Sequence, residues 1–429
     1  MKAFLLFFIT LLVASSCAEQ KKPVTHAADY ESFLAFKKVS TYSIEADMDF
    51  WQERLARMPK DEASKRKLAG LHAANFKRTG RVEELQYADS IYHYLLKTTS
   101  SGKAGLYLGL AQNSITQHKF RQAGVYAEAA LNEGGNEAAA LLVITDIALE
   151  LGDDNKAKNT LKKFTNKNSF AHLIRQVKVK DHAGELDSAI LKMEKAFDRV
   201  KGNKDLYCWS LSNLGDMYGH AGRIEDAYRA YLSVLQKDSN YDYVLKGIAW
   251  IALSNDKNYS EAKRIINILA SRSRMPDAHL MLAEIAEMEN DEQEKNKQLN
   301  LFVNLTDNPQ YKTMYAKYLA EIYVEDLQKP DASLAIAEEE IKNRPTPQSY
   351  DLKAWALLHL GREKEALFVA QKYVTGKTFE PDAAYHTGMI YLANGFEEDA
   401  EKYLEEALES SFELGQSVTR DIEQALEKI

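Results

Sequence analysis

The sequence predicts an all-α protein, an α-α superhelix of about ten helix-turn-helix repeats that ends in a C-terminal capping helix. The composition suits helices, because only 8 Pro and 20 Gly occur among 429 residues and 45% of the residues are hydrophobic. An alanine recurs in one phase along most of the chain. One helical pair of this size cannot bury its apolar stripe alone, so neighbouring pairs must stack. The recurring alanines are Ala88, Ala123, Ala157, Ala189, Ala227, Ala262, Ala332, Ala366 and Ala400, and the long interval between Ala262 and Ala332 fits two repeats with the missing alanine near Lys295.

The N-terminal residues 1–17, MKAFLLFFITLLVASSC, have the layout of a secretory signal peptide, with one lysine, an apolar run and then small residues. The run is too short to span a bilayer comfortably, so we expect it to be removed. The residues that end at Cys17 resemble a bacterial lipobox, with Ala14 where leucine is usual. This resemblance implies a lipid on Cys17. The alternative is cleavage after Ala18 and a soluble periplasmic protein.

Two segments separate the signal from the regular repeats. Residues 18–30 are polar and predict a tether, and residues 31–103 predict degenerate N-terminal helical repeats. Apolar residues within the second segment are candidates for an N-terminal cap, which an array of stacked repeats requires. They are Phe50, Trp51, Leu55 and Met58.

The regular repeats occupy residues 104–411, and both halves of one unit are clear in residues 208–241. There, LSNLGDMYGHAGRIEDAYRAYLSVL presents apolar and small residues at helical spacing on two segments. This pattern resembles the tetratricopeptide repeat, a 34-residue helix-turn-helix. The amphipathic residues 412–429 then predict the capping helix.

Small residues explain how the two helices of a repeat would pack. Gly388 and Ala400, like Gly215 and Ala227, are expected to let paired helices approach closely. Gly222, Gly361 and Gly395 are expected to end the first helix by adopting a left-handed conformation. The glutamates that surround Ala400 are then a solvated helix face rather than catalytic carboxylates.

Charge and motif spacing exclude several classes of function. A net charge of −8 without a basic cluster gives no electrostatic footprint for nucleic acid. The minimal motifs of zinc proteases, nucleophile-elbow esterases and phosphate loops are missing, so we expect no enzyme activity, no cofactor and no metal site. DKNYSE, from Asp256, begins like a calcium loop but lacks its glycine and terminal glutamate, which favours an inter-helix turn. Cys208 is expected to be a small buried hydrophobe.

The resemblance implies a concave groove, lined by the first helix of each repeat, that binds a stretch of another protein. Trp355 and Met389 are one repeat apart and therefore on adjacent rungs of that groove. An exposed aromatic and methionine patch with a charged rim is typical of peptide-binding hot spots. The alternative is that Trp355 and Tyr385 are partly buried against neighbouring helices. The candidate partner-binding residues, carried over by repeat register, are Asp351, Trp355, His359, Tyr385, Met389, Glu321 and Trp209.

Two functions compete at this point. The first is a non-enzymatic, lipid-anchored scaffold that binds another envelope or secreted protein and contacts the membrane only through its lipid. Because Ala18 is not the aspartate associated with inner-membrane retention, the outer membrane is the expected location, on its periplasmic face or at the cell surface. The alternative is a surface lipoprotein that captures a ligand such as a glycan for an outer-membrane transporter.

Overall fold

The structure, a computed structural model, describes residues 22–35, 43–273 and 276–429. The predicted signal peptide and Cys17 lie outside the described residues. Within them, two helices precede ten helical hairpins, and a final helix follows, so the predicted α-α superhelix of about ten helix-turn-helix repeats is confirmed. The first elements are α1 (Ala27–Ala35), α2 (Ile44–Arg57) and the hairpins α3 (Glu62–Thr79) with α4 (Glu83–Thr98), α5 (Lys103–Thr116) with α6 (Phe120–Asn132), α7 (Glu137–Glu150) with α8 (Asp154–Lys162), α9 (Phe170–Asp181) with α10 (Leu186–Asp198), and α11 (Lys204–His220) with α12 (Ile224–Lys237). The later elements are α13 (Tyr243–Ser254) with α14 (Tyr259–Arg272), α15 (Asp277–Met288) with α16 (Glu292–Thr306), the single turn α17 (Pro309–Lys312), α18 (Ala316–Glu325) with α19 (Pro330–Asn343), α20 (Pro347–His359) with α21 (Glu363–Tyr373), α22 (Pro381–Ala393) with α23 (Glu397–Leu408), and α24 (Ser411–Leu426).

Side chains and glycines set the ends of these helices. The side chains of Asn136, Asn203 and Asn258 each accept a hydrogen bond from a backbone N–H in the first turn of the following helix. Gly222 and Gly395 lie in the turns after α11 and α22 with φ of 70° and 76°, as predicted. The hairpin boundaries therefore follow from local sequence.

From α6 onward, the recurring position is the fourth residue after the N-cap of each second helix, and it holds a buried alanine in most hairpins. Ala366 and Ala400 are both fully buried between the two helices of their hairpins. In α19 this position is held by the buried Ser333 rather than by Ala332, so the predicted phase was wrong by one residue there. In α16 the position is held by Lys295, whose Nζ lies 2.9 Å from Glu287 and 2.7 Å from Asp326 and so ties α16 to two neighbouring helices.

The first-helix glycines contact a larger residue than the sequence suggested. A Cβ placed on Gly388 would lie 2.7 Å from Cγ of Leu404, which is one turn beyond Ala400 on α23. A Cβ on Gly215 would meet the ring of Tyr231 in the same way. Each glycine therefore makes room for a bulky side chain of the partner helix, rather than for its alanine.

The N-terminal segment binds to the middle of the array. The backbone N–H groups of Val24 and Thr25 each donate to the carboxylate of Asp256 at 2.8 Å, and the Tyr30 hydroxyl donates to Glu261 at 2.8 Å. The predicted polar tether is therefore wrong for residues 24–30, which lie against α12 and α14. The carboxylate of Asp256, which begins the calcium-like sequence, anchors this segment instead.

Helix α2 covers α3 but buries none of its own side chains. Phe50 and Met58 remain more than half exposed. The prediction that they pack as part of an N-terminal cap was therefore wrong for these two residues.

Hairpins that are five or six apart in the array also touch each other. Asn343, the last residue of α19, donates from Nδ2 to the carbonyl oxygen of His118 at 2.7 Å, and Arg344 lies 3.5 Å from Glu150 at the end of α7. Similarly, a Cβ on Gly184, after α9, would lie 2.6 Å from the ring of Phe379, before α22. The superhelix therefore contacts itself from one turn to the next.

Helix α24 does more than cap the last hairpin. Its buried residues Leu414 and Ile422 pack with Leu404 of α23, as a capping helix should. It also contacts α11, α13 and α15. The Trp250 Nε1–H on α13 donates to the carbonyl oxygen of Phe412 at 3.0 Å, and the Ser417 hydroxyl donates to Glu287 on α15 at 2.5 Å. The helix thus connects the last repeat to the middle of the array.

Candidate binding surface

The first helices of the hairpins line the concave side of the array. Successive first helices contact each other directly, as α18 contacts α20 and α20 contacts α22. Elements on the inside of a curved stack lie closest together, which identifies these helices as the inner wall. Their side chains form what we call the inner cluster: Lys317, Glu321 and Glu325 on α18, Asp351 and Trp355 on α20, and Asp382 and His386 on α22.

Most of the predicted partner-binding residues lie together on this wall. Trp355 is the centre, with the ring centroids of His359 at 4.4 Å and Tyr385 at 5.6 Å. Met389 packs against the same apolar cluster, and Asp351 and Glu321 belong to the inner cluster. Trp209 does not join them, because it lies on α11, with its ring centroid 6.0 Å from that of Phe170.

The aromatic rings at this centre are buried. Trp355 is 4% exposed and Tyr385 is 7% exposed. Both belong to the apolar cluster that α23 and α24 complete, through Leu404 and Ile422. The expected exposed aromatic patch was therefore wrong for these two residues, and the alternative, burial against neighbouring helices, describes them.

The buried ring of Trp355 is instead part of a polar network that holds it in place. Its Nε1–H donates to Oε1 of Glu325 at 2.9 Å, and its ring stacks on the imidazole of His386 at 4.2 Å. Nδ1 of His386 lies 2.8 Å from Oδ2 of Asp351. Although burial opposes the charged imidazole, the Asp351 carboxylate raises the pKa of His386 to about 9. The Asp351 carboxylate therefore favours the charged form of the ring.

Lys317 and Glu321 present this network to the concave side. The ammonium of Lys317 forms an ion pair with Asp382, and its Nζ lies 3.9 Å from Glu321. Burial raises the pKa of Glu321 to about 8, although Lys317 opposes the shift. Burial also raises the pKa of Glu325. The wall thus combines a fixed cation with carboxyl groups that hold their protons tightly.

Asp382 and His386 were missed by sequence reasoning. Both lie on α22 beside the predicted positions, but their partners Lys317 and Asp351 are on other hairpins, 65 and 35 residues away. The interval of 35 residues is close to the repeat length, so residues one repeat apart on adjacent first helices could have suggested the Asp351–His386 pair.

The described residues contain one cysteine, which is buried, and no group arranged as metal ligands. Among the described residues, no group of three or more histidine, cysteine or acidic side chains is arranged to hold a metal ion. Cys208 is 1% exposed, and burial raises its pKa to about 11, so it packs as a small hydrophobe. The part of the chain that the structure describes also holds no helix of the length and apolarity needed to cross a membrane.

Comparison with known proteins finds similarity at the level of structure. No protein-family model matches the chain, and no curated protein matches it. A tetratricopeptide repeat protein from Parabacteroides merdae is 17% identical with a TM-score of 0.34, and 68% of this chain and 98% of that chain are covered. PilF of Pseudomonas aeruginosa is 14% identical with a TM-score of 0.36, and 50% of this chain and 97% of that chain are covered. Yeast Tom70 is 14% identical with a TM-score of 0.36, and 86% of this chain and 96% of that chain are covered. Because these values are low, the repeat architecture rests on the hairpins described above.

Proposed function

We propose that this protein is a non-enzymatic scaffold that binds a peptide segment of another envelope protein on its concave wall. The observation that carries the proposal is the inner cluster, in which charged and hydrogen-bonding groups are held in place by buried partners. Trp355 cannot rotate without breaking its hydrogen bond to Glu325 and its stack on His386. A surface that is already ordered loses less entropy when it binds.

The location of the scaffold is part of the same proposal. The sequence of residues 1–17 supports export, and Cys17 supports a lipid anchor, with the outer membrane as the expected site. The segment that follows is bound to α12 and α14 from Val24 onward. A lipid on Cys17 would therefore hold the middle of the array within a few residues of the membrane.

Site-specific crosslinking in intact cells tests the binding face. A photo-crosslinking residue in place of Tyr318, which is 42% exposed beside Lys317 on α18, should capture one discrete protein. The same residue in place of Phe368, which is 59% exposed on the second helix α21, is the matched control and should capture none. Equal capture at both positions, or capture at Phe368 alone, would contradict a concave binding face.

A second candidate function is ligand capture, and one cleft favours it. The exposed rings of Trp209 and Tyr243 line a cleft of about 2040 Å³ that also contains Asn213, Lys204 and Asp238. Aromatic faces beside amides and charges suit a sugar ring. Saturable oligosaccharide binding that is lost in Trp209→Ala, together with no protein captured at Tyr318, would favour this function over the scaffold.

A further inference from the structure

A small cavity lies where two turns of the superhelix meet, behind the inner cluster. Its volume is about 210 Å³. One wall comes from the end of α7 and the turn after α9, and the opposite wall comes from the first turns of α20 and α22. Lys317 and Asp382 line the cavity and also belong to the inner cluster, so the cavity adjoins the concave wall.

Asp351 is a buried carboxylate that lines this cavity beside the buried hydroxyls of Thr346 and Ser349. It is 4% exposed, and its Oδ2 is bound to His386. Its Oδ1 is buried and has no hydrogen-bond partner among the described residues. A buried acceptor left without a donor is unfavourable, so this oxygen favours any ligand that brings an N–H group.

The charges around the cavity favour a cation. Four acidic residues line it, Glu150, Asp351, Glu380 and Asp382. Lys317 is paired with Asp382, and Arg344 is paired with Glu340 as well as lying near Glu150. His386 offsets the charge of Asp351, and Glu380 on the same cavity is exposed and forms no ion pair among the described residues. An additional positive charge would therefore be attracted, and an anion repelled.

The size of the cavity restricts the ligand further. It is smaller than the roughly 300–1,000 Å³ of typical small-molecule sites. It holds about seven water volumes, at roughly 30 Å³ each, which is enough for an alkyl chain with a single polar head. An ammonium has three N–H donors and no acceptor, which suits a site that is lined by four carboxylates and by the hydroxyls of Thr346 and Ser349.

We propose that this cavity, the Asp351 pocket, binds the ammonium group of a lysine side chain supplied by the partner segment. The proposal rests on the proposed scaffold function and specifies the chemistry of its partner. The lysine Nζ donates to Oδ1 of Asp351, and the carboxylates of Glu380 and Asp382 add attraction at longer range. A charge-assisted hydrogen bond to a buried carboxylate is among the stronger polar contacts available to a peptide.

Binding of n-butylammonium to the full chain tests the pocket directly, by saturation-transfer NMR. One saturable site is expected, and Asp351→Asn should weaken it by about tenfold or more, because it removes the charge while keeping the shape. Glu380→Gln, an exposed change that leaves the fold intact, should weaken it by about two- to threefold. Asp89→Asn is the matched control, since that carboxylate accepts hydrogen bonds from Asn113 and Gln117 far from the pocket. Unchanged binding in both pocket variants overturns the proposal.

Crosslinking at Tyr318 then separates this proposal from the scaffold function. Capture that is lost in Asp351→Asn and reduced in Glu380→Gln, with a lysine at the contact in the captured protein, supports both. Capture that is unchanged in both variants overturns the lysine pocket and leaves the scaffold function standing. Butylammonium binding that depends on Asp351, with no protein captured at Tyr318, overturns the lysine source in favour of a free amine and contradicts the scaffold function.

Discussion

Replacing Gly388 with alanine should destabilise the last hairpin, although alanine is the better helix former. The added Cβ would lie 2.7 Å from Cγ and 2.9 Å from Cδ2 of Leu404, and 3.2 Å from its backbone nitrogen. Carbon atoms in good contact are about 3.5–4.0 Å apart. Leu404 is fully buried and cannot turn aside, so α22 and α23 must separate by several tenths of an ångström.

Two opposing terms set the size of this effect. Overpacking of a buried contact costs about 1–3 kcal/mol. Alanine gains about 1 kcal/mol over glycine in a helix interior. The net expectation for Gly388→Ala is therefore a loss of about 0–2 kcal/mol in the free energy of unfolding.

Gly70→Ala is the matched control, because Gly70 is also inside a helix and no atom lies within 4 Å of its added Cβ. It should stabilise the chain by about 1 kcal/mol. Hydrogen exchange of peptides from α22 and α23, measured alongside urea unfolding, reports the local effect even if the array does not unfold in two states. If Gly388→Ala stabilises its hairpin as much as Gly70→Ala stabilises α3, the close-contact explanation is wrong.

Three further predictions concern charge and the last helix. Arg344→Ala should lower the free energy of unfolding, measured in urea, by about 3–5 kcal/mol, because it leaves the buried carboxylate of Glu340 without its cation. Arg362→Ala, which breaks an exposed ion pair, is the control and should not change it measurably. Glu321 and His386 bind their protons more tightly in the folded chain than in the unfolded chain, so the free energy of unfolding should fall as the pH rises. The fall should span about pH 4.5 to 8 for Glu321 and about pH 6.5 to 9 for His386. In Glu321→Gln, the melting temperature should decline less steeply with pH. A chain that ends at residue 410 should expose both the apolar cluster around Trp355 and the ring of Trp250, which loses Phe412, so tryptophan emission should shift to the red. An unshifted spectrum would mean that α24 covers neither ring.

The hairpins were predictable because their determinants are local. A glycine in a left-handed turn, followed five residues later by a buried alanine, recurs at Gly361 and Gly395 with the same φ sign and the same burial. Where the alanine phase misled by one residue, at Ala332, the register was set by the turn before α19 rather than by the alanine itself.

The state of the candidate site was less predictable, because it depends on residues far apart in sequence. Repeat register placed Trp355 and Tyr385 on the concave wall. Their burial depends on Leu404 and Ile422, and the network around them depends on His386. A repeat pattern describes contacts between neighbouring hairpins, so it contains no information on a terminal helix that packs across several of them.

The contacts between successive turns have a consequence for the order in which the chain can fold. Stacked repeats normally need only their neighbours, so an array can begin to form at its N-terminus while synthesis continues. Here His118 and Glu150 meet their partners only when residues 343 and 344 exist, and Trp250 meets its partner only at Phe412. Contacts over such sequence separations slow folding. His118 and Glu150 therefore cannot reach their final environment until residue 344 has been made, and Trp250 cannot until residue 412 has been made.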